Sequence, residues 1–421
     1  MTGRFKRGLA ELTRLSPNIP VFIVYGLLYD AAVNVYKPFS MKFLTRLGGD
    51  ETFISLMNSL PGIIAAAVIL PGAIFLNRFR NIKRVTRVLF LTSRSVLLAI
   101  AFIPFFPAAA RPYLYVALIS LMNLPDSLSQ TAVQASLGTF FKNGGVRAAA
   151  ISLRNKFGNI FIPVVTILTG LIFAIFPKND AQTINFYQTL FVAAFIIGLF
   201  EIKTFGKFKI EAEESERPVK KASFGTVLKV FNDKKFTGYM ASTLIFYFCW
   251  HSGWTLSGIY HINNLGANEI WLAVFAVASG VSSFFSAGFW NKQIAKRGNE
   301  KTLIAAALAV AGNMFMMGLS PNLVSMIPAM VFTGFSSIGV NIVLLNGLIA
   351  NTPDEDRMVY VGVYNTCTSV SLGVAPLAAL MLLNRVGVVY TMFAVGAART
   401  VSAGAMYLMN KKLKTGYNDH N

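Results

Sequence analysis

The sequence predicts an all-α, polytopic membrane protein of about 12 transmembrane helices, arranged as two pseudo-symmetric halves of six. Three observations support this prediction: an apolar composition, a series of long apolar stretches, and an uneven distribution of positive charge. Hydrophobic residues make up 54% of the 421 residues and charged residues only 13%, and the chain contains 36 Phe. A soluble domain of this length does not need so much apolar surface, so a lipid bilayer is the expected solvent.

Apolar stretches long enough to cross a hydrocarbon core about 30 Å thick recur along the whole chain. Their approximate limits are 19–45, 53–77, 87–107, 113–139, 147–176, 186–205, 237–261, 270–291, 302–319, 323–349, 358–384 and 388–409. The residues before the first stretch are basic and then helix-breaking, but the stretch itself is too long and too polar for a cleaved signal sequence. It is therefore predicted to be a retained first span.

The chain carries 38 Lys and Arg against 18 Asp and Glu, a net charge of +20. Most of the Lys and Arg fall in the N-terminal segment, in every second connection between spans and in the C-terminal segment, as the positive-inside rule describes. This pattern predicts cytoplasmic N- and C-termini in an inner or plasma membrane. Anionic lipid headgroups are sufficient partners for the basic surface, so nucleic acid is not an expected partner.

The residue inventory gives no support for an enzyme. Cys249 and Cys367 both lie in predicted spans without metal-ligand spacing, so we expect them to be packing residues and expect no metal or cofactor. The sequence has no Gly-x4-Gly-Lys phosphate loop, which argues against an ATP-driven pump, and no nucleophile constellation for hydrolysis. We expect a monomer without catalytic residues.

An internal repeat divides the chain. The stretch LGGDETFISLMNSLPG, which starts at residue 47, aligns with LGANEIWLAVFAVASG, which starts at residue 265. At a similar shift, Arg147 with Asn155 falls on Arg357 with Asn365. Two related halves of six spans follow from this alignment.

The only long polar stretch lies between these halves, at 203–235. It contains EAEESERPVKK, a charged and proline-broken composition typical of a linker. Its latter part, SFGTVLKVFNDKK, repeats apolar residues at helical spacing and is predicted to lie along the inner membrane surface. The predicted organisation is an N-terminal six-helix half over 1–202, a cytoplasmic linker over 203–235 and a C-terminal six-helix half over 236–421.

Six plus six spans with a cytoplasmic central linker resemble the major facilitator superfamily of secondary transporters. The family's Gly-x-x-x-Asp-Arg motif after the second span corresponds here to AIFLNRFRNIKR, residues 73–84, with Asn77 in the position of the acid. The resemblance implies charge-assisted hydrogen bonds between the halves at the cytoplasmic face, which the Asn is expected to weaken. The predicted gating residues are Asn77, Arg78, Arg147, Asn291, Lys292 and Arg357.

Polar residues inside the spans are candidate site residues, because an ionised side chain near the bilayer centre costs at least ~2.5 kcal/mol. Each one therefore needs a partner, water or a function. In span one, Asp30, Asn34 and Lys37 recur at i, i+4 and i+7, which predicts that they line one face of a helix.

Spans four and five add further polar groups. In NLPDSLSQTAVQ, Asn123 and Gln130 lie on one helical stripe with Asp126 at its edge, and span five carries Arg154 and Asn155. These spans, with span one, are predicted to surround a hydrated cavity whose titratable groups are Asp126 and the acid of span one. The alternative is that the buried acids and bases pair only to neutralise one another and fix the packing.

The second half offers aromatic and weakly polar candidates. Trp250 and Trp254 lie one turn apart in span seven, where they form either a stacking platform for a sugar ring or other flat ligand, or a packed helix interface. Asn341 and Asn365 either complete the polar lining or bond one helix to another.

A narrower resemblance is carried by DAAVN from Asp30, NLP from Asn123, and RAAAISLR from Arg147 to Arg154. These motifs are similar to those of the glycoside-pentoside-hexuronide cation symporters, the melibiose-carrier branch. The resemblance implies that Asp30, Asn123 and Arg154 contact sugar hydroxyls, although Asn123 replaces an acid of that family. The paired acids that hold the coupling cation in that family have no counterpart in FISLMNSLPGIIAA, so protons rather than sodium are expected.

The sequence therefore predicts a secondary active transporter that moves a small organic solute, sugar-like or an organic anion, by alternating access. Proton coupling is expected through protonation of Asp30 or Asp126. Two alternatives remain: an exporter of amphipathic drug-like or lipid-like compounds, which fits the Phe and Trp content, and a membrane receptor without flux. The predicted substrate-binding residues are Asp30, Asn34, Lys37, Asn123, Asp126, Gln130, Arg154, Asn155, Trp250, Trp254, Asn341 and Asn365.

Overall fold

The computed structural model describes residues 16–76, 81–141, 143–209, 224–353 and 357–418. Regular structure in these residues is entirely helical, which confirms the predicted fold class. In chain order the helices are α1 (Asn18–Asn34), α2 (Ser40–Arg46), α3 (Glu51–Leu76), α4 (Ile82–Ala101), α5 (Arg111–Phe140), α6 (Gly144–Ile175), α7 (Asp180–Phe205), α8 (Phe224–Asn232), α9 (Lys234–Ile259), α10 (Glu269–Arg297), α11 (Asn299–Gly318), α12 (Leu323–Ala350), α13 (Arg357–Val386) and α14 (Val388–Asn418).

Among the described residues, 10 helices are long and apolar enough to cross a membrane, with α1 and α2 counted as one candidate span. The long helices α5 and α9, of 30 and 26 residues, are not among the 10. Both exceed the length that a bilayer requires. They fall short in hydropathy because they carry the polar stretches NLPDSLSQTAVQ and HSGWTLS, in which the sequence places site residues.

Asparagine residues cap the N-terminal ends of four of the long helices. Each accepts a hydrogen bond from the backbone N–H three residues later, which satisfies one of the donors that a helix start leaves without a partner. These caps are Asn81 on α4, Asn179 on α7, Asn268 on α10 and Asn322 on α12.

Contacts group the chain into two compact units, the first formed by 1–48 and 71–221 and the second by 49–70 and 222–421. In the first unit, α1 packs on α6 and α7, and α4 packs on α5 and α7. The second unit repeats this order, because α9 packs on α13 and α14 while α11 packs on α12 and α14. The repeated pairing supports the internal repeat that the sequence indicates.

The first part of α3 groups with the second unit rather than the first. Asn58 donates to the Thr255 hydroxyl at 3.1 Å, and Asn263 donates to the Glu51 carboxylate at 3.3 Å. The division predicted from the sequence, 1–202, 203–235 and 236–421, places these α3 residues in the N-terminal half and stays a prediction. Contacts describe which residues pack together, whereas the repeat describes which residues correspond.

Two aromatic clusters lie toward opposite ends of α1 and α7 in the first unit. One cluster contains Phe22, Tyr25, Phe90, Phe140, Phe141, Phe205 and Phe208. The other contains Tyr36, Phe39, Phe43, Tyr115, Phe173, Tyr187 and Phe191. The stretches of α1 and α7 between these clusters carry the buried ionisable side chains, so apolar packing flanks the polar groups along both helices.

The latter part of the predicted linker forms α8. Val227 and Val230 are buried against α9 and α13, whereas Leu228 and Phe231 are about half exposed. The helix is therefore amphipathic, as its sequence spacing predicts, and its place on the inner membrane surface stays a prediction. The segment EAEESERPVKK lies outside the described residues.

Candidate functional site

An ion pair joins α1 to α6 in the first unit. The Arg154 guanidinium donates from Nη2 to Asp30 Oδ1 at 2.6 Å, a short charge-assisted hydrogen bond. Asp30 is buried, and its Oδ2 has no hydrogen-bond partner among the described residues. The Arg154 side chain is 25% exposed and also donates to Asn155 Oδ1 at 3.4 Å. The pair therefore leaves Asp30 Oδ2 as an unoccupied acceptor, and the Arg154 guanidinium remains accessible.

Gly158 makes room for this pair. A Cβ atom built on Gly158 would lie 2.7 Å from Asp30 Oδ2, closer than real Cβ contacts allow. The absence of a side chain on this turn of α6 therefore lets the Asp30 carboxylate approach the α6 backbone.

A second set of buried charges centres on Arg94 of α4, whose side chain is 1% exposed. The guanidinium Nε and Nη2 both lie 3.0 Å from Oε2 of Glu201 on α7, and Nη1 lies 3.5 Å from Oδ1 of Asp126 on α5. Ser93 and Tyr29 donate to Asp126 at 3.4 and 3.5 Å. The Arg94 guanidinium carbon also lies 5.3 Å from the centre of the Tyr29 ring, a cation–π distance. We name Arg94, Asp126 and Glu201 the Arg94 triad.

Glu201 is a functional candidate that the sequence pattern alone does not single out. It lies within the apolar stretch 186–205. The free-energy cost of burying a charge, which identifies Asp30 as a candidate, therefore applies equally to Glu201. Its place in an apolar stretch is the signal that could identify it. However, EIKT, residues 201–204, holds three charged or polar residues at the end of the span, and this composition is also typical of a helix end at the membrane surface. The structure instead buries Glu201 completely.

The predicted stripe of span one ends earlier than expected. Helix α1 ends at Asn34, and Lys37 begins a short 3-10 turn, Lys37–Phe39, in which Pro38 is the second residue. The expectation that Lys37 shares one continuous helix face with Asp30 and Asn34 is therefore wrong, because Pro38 lacks the N–H that a continued helix would need. Lys37 is exposed, and the Asn34 amide donates to the backbone carbonyl of Asp30 at 2.8 Å.

The other polar candidates of the first unit are separate from the ion pair. Asn123 and Gln130 are half-buried on α5, and no hydrogen bond joins either to Asp30 or Arg154 in the part of the chain that the structure describes. The Gln130 amide nitrogen is buried without a hydrogen-bond partner in the same described residues. The structure therefore brings Asp30, Arg154 and Asn155 together, and brings Asp126 to Arg94 instead.

In the second unit, the two tryptophans of α9 contact each other edge to face, with ring centres 6.3 Å apart. Trp250 is buried, whereas Trp254 is 45% exposed. The Trp254 ring also contacts the ring of His251. His251 Nδ1 lies within hydrogen-bond distance of the Ser371 hydroxyl, at 3.2 Å. Two further candidates, Asn341 of α12 and Asn365 of α13, are exposed.

Comparison with known protein families decides the identity of this fold. A family model described as Major Facilitator Superfamily matches residues 21–376. The chain belongs to the Major Facilitator Superfamily. It is therefore an integral membrane transporter of the small-solute class and not an enzyme. No curated protein matches the chain by sequence.

Solved superfamily transporters share the fold at low sequence identity. The chain is similar to a variant of the nucleoside transporter NupG, with a TM-score of 0.72 and 12% identity over 93% of this chain and 99% of that one. It is similar to a POT family transporter in complex with 5-aminolevulinic acid, with a TM-score of 0.69 and 12% identity over 94% and 96%. It is also similar to a variant of the E. coli fucose:proton symporter FucP, with a TM-score of 0.61 and 13% identity over 95% and 99%.

The residues predicted to gate this superfamily member are only partly described. Asn77 and Arg78 lie outside the described residues, and so does the side chain of Arg357, which begins α13. Asn291 and Lys292 are exposed near the end of α10, and Arg147 is half-buried near the start of α6. Their gating role stays a prediction.

Proposed function

We propose that this transporter moves a small polar organic solute, sugar-like or anionic, together with protons by alternating access. The observation that carries the proposal is the 2.6 Å pair between buried Asp30 and partly exposed Arg154. An ionised Asp30 occupies the guanidinium, whereas a protonated Asp30 releases it. Arg154 then has free N–H groups for a solute carboxylate or hydroxyl, so proton binding and solute binding support each other.

The position of the pair favours a transport role over a purely structural one. Arg154 and Asn155 lie ten residues inside the 32-residue helix α6, and Asn155 is exposed. Polar side chains at such depth are costly against lipid, so they are expected to face a water-filled path. The narrower resemblance to melibiose-type carriers supports the same residues, since it assigns Asp30, Asn123 and Arg154 to sugar hydroxyls.

The solved transporters to which the chain is similar support a polar solute. They include a nucleoside transporter, a POT family transporter bound to 5-aminolevulinic acid, and a fucose:proton symporter. Neither of the two acid positions expected for sodium binding in melibiose-type carriers is present in FISLMNSLPGIIAA, which supports protons as the coupling ion. The proposal includes a monomer in an inner or plasma membrane with both termini in the cytoplasm and anionic lipids around the basic loops.

A second candidate function is export of amphipathic compounds. The exposed ring of Trp254, stacked edge to face with Trp250, offers an aromatic surface for a flat or apolar ligand. Hydrophobic cations would bind there without needing Arg154, so the two functions make different predictions for Arg154 variants.

The test begins with a thermal-shift screen of the purified protein against galactose, glucuronate, a nucleoside and the hydrophobic cation tetraphenylphosphonium, because binding to the folded state raises the melting temperature. Labelled forms of the probes that shift it are then offered to proteoliposomes with an acidic exterior or interior. The proposal predicts accumulation of galactose or glucuronate driven by the pH gradient. A shift by tetraphenylphosphonium alone would contradict it and favour export, and no movement of any probe would contradict carrier function.

Asp30→Asn then separates solute binding from proton coupling. We expect this variant to exchange labelled for unlabelled probe across the membrane but to lose gradient-driven accumulation, because it no longer gains or loses a proton. Asp180→Asn is the matched control, since Asp180 is also paired with an arginine, Arg46 at 2.6 Å, but its side chain is 91% exposed. Unchanged accumulation by Asp30→Asn would exclude Asp30 as the coupling residue.

A further inference from the structure

The Arg94 triad contains more negative charge than positive charge. It brings two carboxylates, Asp126 and Glu201, to one guanidinium. The neighbouring Asp30 does not alter this balance, because its own charge is matched by Arg154. Glu201 is fully buried, and its Oε1 has no hydrogen-bond partner in the described part of the chain. An excess negative charge at this depth is costly, and binding one proton removes it.

We propose that the Arg94 triad binds one proton, which Asp126 and Glu201 share, at a site separate from the Asp30–Arg154 pair. The inference deepens the proposed function and rests on its proton coupling. The Asp126 side chain is 21% exposed and is the accessible end of the site, whereas Glu201 is the buried end. The transfer moves a proton from one carboxyl oxygen to the other, with no change of oxidation state.

The distances within the triad show which carboxylate holds Arg94 in this conformation. Two nitrogens of Arg94 lie 3.0 Å from Glu201 Oε2, whereas every contact of Asp126 with Arg94, Ser93 or Tyr29 is 3.4 Å or longer. Hydrogen bonds of that length are weak. In this conformation Arg94 is therefore held more closely by Glu201 than by Asp126. Rotation of Arg94 toward Asp126 would transfer its closer contact to the other carboxylate.

Helix α1 links this site to the ion pair. Tyr29 donates to Asp126, and the next residue along the chain, Asp30, is bonded to Arg154. A shift of α1 that alters one contact therefore alters the other. Other titratable and charged groups face the triad from the segments packed around it. They are Tyr25, Tyr29 and Asp30 on α1 and Tyr36 just after α1, with Arg154 of α6 paired to Asp30.

Infrared spectroscopy of the purified wild-type protein in lipid at neutral pH tests the inference without a solute. A protonated carboxyl group has a C=O stretch that shifts in heavy water and that a carboxylate lacks. We expect one such band in the wild type that is missing in Glu201→Gln and also in Asp126→Asn, because removing either carboxylate leaves one acid for one guanidinium. The wild-type band should disappear on titration to high pH.

Glu300→Gln and Asp30→Asn are the controls, and both should retain the band. Glu300 is exposed at the start of α11, and Asp30 is matched by its own guanidinium. Identical spectra for wild type, Glu201→Gln and Asp126→Asn would overturn the inference. If Glu201→Gln fails to fold, the Asp126→Asn spectrum and the wild-type titration decide the question. Since no solute is used, a wild type that transports none of the probes would contradict the proposed function and leave this result unaffected.

Discussion

Arg399 of α14 donates from Nη2 to the backbone carbonyl of Trp250 on α9 at 2.9 Å. Its other nitrogens donate to the carbonyls of Cys249 and Val310, both at 3.0 Å, and the side chain is almost fully buried. No acid lies within ion-pair distance of this guanidinium among the described residues. Arg399 therefore bonds three helices, α9, α11 and α14, through backbone carbonyls, and its burial serves packing in the second unit.

The first prediction concerns Gly253, which faces Arg399. A Cβ built on Gly253 overlaps the position of Arg399 Nη2 and lies 3.0 Å from its Cζ. We expect Gly253→Ala to lower the free energy of unfolding by about 1–3 kcal/mol, the usual cost of overpacking a core. Thermal or chemical unfolding of the purified protein measures this loss.

Arg399→Met provides the internal control for that prediction. This substitution keeps a side chain of similar length but removes the guanidinium that a Cβ on Gly253 would meet. The double variant Gly253→Ala with Arg399→Met should be more stable than Gly253→Ala alone, a coupling that a double-mutant cycle resolves. Additive losses would show that the two residues do not compete for space.

The second prediction concerns the ion pair of the site. Arg154→Gln leaves the Asp30 carboxylate buried without its cation, which typically costs about 3–5 kcal/mol. The loss should shrink on acidification, because protonation of Asp30 removes the uncompensated charge in the folded state while Asp30 in the unfolded chain stays ionised to lower pH. Melting temperature against pH for wild type and variant measures this difference.

The double variant Asp30→Asn with Arg154→Gln separates charge from packing. It contains no buried charge at the pair, so it should recover most of the lost stability at neutral pH and show no such pH dependence. A deficit equal to that of Arg154→Gln alone would mean that side-chain shape rather than charge balance sets the stability here.

The third prediction uses the space around Asp30. Gly158→Ala places a methyl group 2.7 Å from Asp30 Oδ2, so we expect at least a tenfold loss of gradient-driven uptake, about 1.4 kcal/mol at 25 °C. Gly288→Ala is the matched control, because a Cβ there meets nothing within 4 Å. That control should be neutral or slightly stabilising, since Ala favours a helix by up to about 1 kcal/mol over Gly. Equal uptake by both variants would contradict the role of Asp30.

Much of the fold follows from the sequence because a bilayer imposes length and hydropathy on each span, and those properties are local. Hydropathy alone does not identify every long helix. Helices α5 and α9 are long enough to span a bilayer, but their polar stretches lower their mean hydropathy below that of the 10 candidate spans. The repeat could be predicted because equivalent residues keep their order along the chain. The grouping of the first part of α3 with the second unit could not be predicted, because it depends on contacts between segments distant in sequence.

The site was only partly predictable for the same reason. Spacing along one helix put Asp30 and Asn34 on one face, and the resemblance named Arg154, but no local pattern says which acid meets which base. The structure pairs Asp30 with Arg154 and gives Asp126 to Arg94. Helix α1 ends at Asn34, ahead of Pro38, because the residues before a proline are disfavoured in a helix, and this local effect overrides the helical spacing of Lys37. Glu201 shows that a charge near the end of an apolar stretch is buried as fully as one in its middle.

The last prediction tests the orientation that the charge distribution indicates. Lys178, between α6 and α7, and Lys296, near the end of α10, are both exposed. In a Cys249→Ser and Cys367→Ser background, Lys178→Cys should react with a membrane-impermeant thiol reagent on intact cells, whereas Lys296→Cys should react only after permeabilisation. The reason is that basic connections are retained on the cytoplasmic side, and Lys296 lies in a strongly basic connection with Arg297 and Lys301. The reverse labelling pattern would place both termini outside and would contradict the proposed topology.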